Sequence, residues 1–159
     1  MGIQHLITLA LTCINAAAFA QQRVTITSPP DTFSVNATAQ ATVKRNGPFL
    51  DVALDRHTIW ASKKYPGSHR ITSYTVAIAT HNIKGQWETQ RQSDDIPASI
   101  TLDPGETRSM PAKTASIPVD GINDLSKYWI VIKMTIRAPT KSHEYGHTYA
   151  HSENLNATP

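Results

Sequence analysis

The sequence predicts an all-β protein, a single antiparallel β-sandwich of about seven to nine strands, and three observations predict it. Tyr128, Ile130, Ile132, Met134 and Ile136 fall on one side of a two-residue repeat, while Lys133, Thr135 and Arg137 fall on the other, as in a half-buried strand. The same alternation sets Phe33, Val35, Ala37, Ala39, Ala41 and Val43 against Ser34, Asn36, Thr38, Gln40 and Thr42. Turn-forming pairs separate the short apolar segments, and no stretch shows the period of an amphipathic helix.

Residues 1–20 read as a secretory signal peptide: they carry no Lys, Arg, Asp or Glu, hold an apolar run from Leu6 to Leu11 and end Ala18-Phe19-Ala20. The run is too short for the roughly 20 apolar residues of a membrane-spanning helix, so no transmembrane segment is expected in the mature chain. Cys13 is the one cysteine and leaves with the signal peptide. The secreted chain therefore has no disulfide and no thiolate chemistry, and must be held together by burial. Residues 21–138 are expected to form the sandwich and residues 139–159 a C-terminal tail or edge strand.

In order along the chain, Val24 and Ile26 start the pattern and Pro29-Pro30 break it. Asn46-Gly47-Pro48 turns the long alternating segment toward Leu50, Val52 and Leu54, and Ile59-Trp60 continue it. Pro66-Gly67 suits the centre of a type II turn before Tyr74, Val76 and Ile78, and Lys84-Gly85 makes a hairpin turn before Trp87. Gln90 to Asp95 reads as a polar stretch. Ile100 and Leu102 run into Pro104-Gly105, which needs positive φ at the glycine, and Ile117-Pro118-Val119 and Asp120-Gly121 lead to the core strand.

The segment Leu102-Asp103-Pro104-Gly105-Glu106-Thr107 resembles the turn between two late strands of many secreted immunoglobulin-like domains. Residues 98–137 are similar to that part of such a domain. The resemblance implies an immunoglobulin-like sandwich and no activity; the paired cysteines of antibody domains are missing.

Net charge is +3, too small for a nucleic-acid partner on a secreted chain. Lys44 to Arg70 is rich in cations and Glu88 to Glu106 in acids, so one end is expected to be basic and another acidic.

Four groups of residues carry possible chemistry. Trp60, Lys63, Lys64, Tyr65 and Arg70 put aromatic rings beside cations on a loop, suited to an acidic or saccharide ligand. His143-Glu144-Tyr145-Gly146-His147 matches the zincin metallopeptidase motif, in which a helix sets two imidazoles one turn apart on zinc and the glutamate activates a water. Gly146 within the would-be helix and the absence of helical periodicity oppose that reading. His151 as third ligand would sit about 12 Å up the helix from His143. Spelled as a strand, His143, Tyr145, His147, Tyr149 and His151 line one side as an imidazole and phenol strip. His143, His147 and His151 are then candidate ligands for zinc or another surface metal. Asn36-Ala37-Thr38 and Asn156-Ala157-Thr158 are glycosylation sequons, with Asn36 expected on the polar face of its strand. Secreted polysaccharide oxidases of similar size begin with a copper-binding histidine; a chain starting at Gln21 does not.

The expected function is a secreted, non-catalytic module that binds an extracellular protein or polysaccharide, with no cofactor, in host interaction, matrix or cell-surface attachment. A zinc-dependent hydrolase using His143, His147 and Glu144, or a protease inhibitor presenting residues 63–70, are the alternatives.

Overall fold

The computed structural model describes residues 21–29, 33–137 and 146–155. The expected signal peptide, His143, Glu144 and Asn156 lie outside the described residues. Within them the chain forms β-strands and turns with no helix. The strands are β1 (Gln22–Thr27), β2 (Val35–Asn46), β3 (Phe49–Leu54), β4 (His57–Ala61), β5 (His69–His81), β6 (Trp87–Gln92), β7 (Ile96–Leu102), β8 (Thr107–Met110), β9 (Lys113–Pro118), β10 (Trp129–Arg137) and β11 (Gly146–Asn154).

Alternation decides which way the side chains point. Ile130, Ile132, Met134 and Ile136 of β10 are buried, and so are Val35, Ala37, Ala39, Ala41 and Val43 of β2, as the two-residue repeat predicts. They join Leu50, Val52 and Leu54 of β3, Ile71, Val76 and Ile78 of β5, and Ile117 of β9 in one apolar core. The Pro104-Gly105 turn forms as expected: Gly105 has φ +83 and the Glu106 amide donates to the Asp103 carbonyl at 2.8 Å.

The strands hydrogen-bond in the order β6-β5-β10-β11-β1-β2-β3-β9, every pair antiparallel. Two long strands make the sheet branch. The first part of β2 pairs with β4 and the later part with β3, while the first part of β5 pairs with β7 and the later part with β6. β8 pairs with β4, and β9 comes back beside β5 and β6. The result is one curled sheet, nearly a barrel. The all-β, antiparallel class is as expected, while the two-layer, immunoglobulin-like arrangement is not confirmed: β2 has 12 residues and β5 has 13, about twice the usual strand length, so each holds two partners in succession and the ladder continues around the core.

Two further expectations change. Trp87 to Gln92, partly read as a polar stretch, is the strand β6; nearly every side chain on it is exposed, so it carries no alternation to find. Within the expected tail or edge, residues 146–154 form the strand β11, which lies between β10 and β1, with a ladder to β10 and a single bridge to β1 at Thr27 and His151.

Candidate functional site

The basic loop sits between β4 and β5. Trp60, Lys63 and Lys64 line a shallow depression of about 390 Å³ together with Gly105. Trp60 is half-buried, both lysines are exposed, and Tyr65 is half-buried in the same loop. Arg70 is not part of this group: it lies out along β5, where its guanidinium donates to Ser99 Oγ at 3.4 Å. The loop is also not an isolated basic end. The Gly105 amide donates to the Ala61 carbonyl, the Ala61 amide donates to the Glu106 carbonyl, both at 2.9 Å, and Ser68 donates to the Asp103 carboxylate. The expected basic and acidic segments therefore interleave here, which weakens the loop's field on an anionic ligand.

Asn36 is 1 % exposed and its Nδ2 donates to the Phe33 carbonyl at 3.0 Å. Its register partner on β4 is Trp60, whose bulky side chain occupies the same face. The exposed placement expected for this sequon is therefore not what is found, and the folded sheet leaves no room for a glycan at that nitrogen. His147 lies on β11, so the chain is extended at that residue rather than helical as the zincin motif requires. Among the described residues no three His, Cys, Asp or Glu side chains gather as a metal site.

A different cluster stands out on the sheet's outer face. His81 at the end of β5, Trp87 at the start of β6, Trp129 at the start of β10 and His151 of β11 bring four rings together from four strands. His81 and Trp87 are register partners with ring centroids 3.9 Å apart. Trp129 lies 5.2 Å from His81 and 5.8 Å from Trp87, edge-on to the latter at 74°. His151 lies 4.8 Å from Trp87. Such ring pairs contribute about 0.5–1.5 kcal/mol each beyond the area they bury.

The backbone explains the meeting. Ala77, Ala79 and Val131 alternate with core-facing Val76, Ile78, Ile130 and Ile132, so they point outward, yet they are fully buried. Ala79 is paired with Trp129, and Val131 with both Ala77 and His151. Small residues on β5 leave a shallow apolar floor that the larger rings close over. The β5–β6 hairpin fixes Trp87 in turn: Asn82 Oδ1 accepts from the Lys84 and Gln86 amides at 2.9 and 3.0 Å, and Gly85 takes φ +71. This rigid tip holds Ile83 wholly in solvent, at 104 % exposure.

Next to His151 the β1–β11 bridge, joined at Thr27 and His151, gives way to a groove of about 390 Å³. Gln22, Arg23, Thr25, Thr27, Glu153 and Asn154 bring hydrogen-bonding side chains to its walls, while the Ser152 hydroxyl is buried, accepting from the Ile130 amide at 2.9 Å and donating to the Glu153 carbonyl. Arg23 is paired with Asp55. Gln22 Oε1 and Asn154 Oδ1 are buried without a hydrogen-bond partner among the described residues. Asn154 is also the register partner of Trp129, so groove and ring corner form one continuous surface.

The ring corner escapes a reading of the sequence because its members are up to 70 positions apart. One signal was present: Trp129 and Val131 are apolar on the side of β10 that otherwise carries Lys133, Thr135 and Arg137. No protein-family model matches the chain, and comparison with curated proteins gives no match.

Proposed function

We propose that the protein is a secreted, non-catalytic binding module that attaches to a cell surface or extracellular matrix through the outer face shared by β5, β6, β10 and β11. The observation that carries this reading is the four-ring corner of His81, Trp87, Trp129 and His151, which opens directly onto a polar groove. Half-buried indoles are the side chains most often found at binding hot spots, since they offer apolar area and one hydrogen-bond donor at little entropic cost. Rigid support favours binding for the same reason: Asn82 staples the hairpin, so little order has to be created on contact.

The basic loop supports inhibition of a protease less well. Lys63 and Lys64 lie in a turn, and the Lys63 side chain lies against Gly105.

Attachment of the labelled protein to cells and to deposited matrix tests the proposal. Wild type should bind saturably, and Trp87→Gln and Trp129→Gln, checked for native circular dichroism, should each weaken attachment about tenfold, as loss of a hot-spot ring does. Unsaturable attachment, or full attachment by both variants, refutes it.

A further inference from the structure

We infer that the groove between β1 and β11 is a binding site for an uncharged saccharide unit, the ring corner forming its apolar rim. The inference rests on the binding-module reading and names the chemistry of the ligand at that same surface.

Four observations converge. The groove is about 390 Å³, within the range of small-ligand sites. Its wall residues Gln22, Thr25, Thr27 and Asn154 carry amides and hydroxyls, which exchange hydrogen bonds with a polyhydroxylated ring in either direction. Two of those amides each keep an oxygen, Gln22 Oε1 and Asn154 Oδ1, out of water with no donor among the described residues. A buried acceptor without a donor costs about 1–3 kcal/mol, and a small turn of either amide toward the groove lets a ligand hydroxyl supply the missing bond. At the rim stand His151, in the groove lining, and Trp129, the register partner of Asn154. A pyranose has just this division, with C–H groups on one face for an aromatic ring and hydroxyls around its edge for planar polar side chains.

Charge selects among saccharides. Arg23 is neutralised by Asp55, and Glu153 is the remaining charged side chain of the lining. A sulfated or uronic chain would find one carboxylate and no free cation in the lining, whereas a neutral unit meets only dipoles.

Titration calorimetry of the purified protein with neutral oligosaccharides of glucose, galactose, mannose and N-acetylglucosamine, beside sulfated and uronate oligomers, decides the matter. At least one neutral series should bind saturably. Gln22→Ala and Asn154→Ala should each weaken it about tenfold, the ratio that one hydrogen bond supplies. Thr25→Arg, an exposed substitution that fills the groove without touching the core, should abolish it, and Ile83→Asp at the hairpin tip should leave it unchanged. Absence of neutral binding, tighter binding of the charged oligomers, or indifference to Thr25→Arg overturns the inference. Attachment to cells or matrix that needs Trp87 but is not competed by any oligosaccharide removes the saccharide assignment alone. Loss of that attachment in every assay removes the binding module with it.

Discussion

At the scale of single residues, His57 shows what burial does to a titrating group. It is 2 % exposed on the inner side of β4, its Nδ1 donates to the Asp55 carbonyl at 3.2 Å, and its ring stands edge-on to Tyr74 at 5.7 Å. Desolvation disfavours the imidazolium and holds the pKa below the ordinary histidine value, and the Asp55 carbonyl offsets only part of that. His69, also buried, is lowered for the same reason. As pH falls, the unfolded chain therefore binds protons at these positions before the folded one does. The stability they contribute is complete above about pH 6.5 and is lost as pH drops through the folded values. Urea midpoints should accordingly be lower at about pH 5 than at about pH 7.5, with a smaller difference in His57→Phe. An equal difference in that variant would remove His57 from the account. Gly105 belongs to this scale as well. Its positive φ was legible from Pro104-Gly105, but its contact with Lys63 was not, because the contact comes from a loop some 40 positions earlier.

Among elements, β10 was the most legible and is the most tightly held. It lies between β5 and β11, and its alternate residues Ile130, Ile132, Met134 and Ile136 all enter the core. Ile132→Ala should cost about 2–5 kcal/mol, because the transfer term and the cavity add. Thr135→Ala, on the outer side of the same strand, should stay within about 0.5 kcal/mol. Denaturant unfolding of the two variants separates a packing role from a propensity role: similar losses would mean that β10 is not organised by its faces. The edge strands were less legible for a physical reason. β6 has no buried face, and such edges are protected by charge and proline, here Glu88 and Arg91 on β6, Pro97 on β7, and Lys113 and Pro118 on β9.

For the whole molecule, the decisive feature is that the last described strand closes the middle of the sheet. β11 joins β10, which belongs to the side carrying β5, to β1, which belongs to the side carrying β2. A chain ending at Arg137 would leave both neighbours with bare edges and Leu155 missing from the core. Such a truncation should give no cooperative thermal transition by near-ultraviolet circular dichroism, whereas the full chain should melt in one step. A sharp transition in the truncated chain would show that residues 146–155 are dispensable.

The alternating strands, the core-facing side of β2 and β10 and the glycine turns could be read from the amino-acid order, because each follows from the two-residue side-chain period or from the backbone freedom of one glycine, and both are local. The curled single sheet, the central place of β11, the burial of Asn36 and the corner of His81, Trp87, Trp129 and His151 could not. Each depends on which strand lies beside which and in what register, and only long-range hydrogen bonding and the packing of one core settle that.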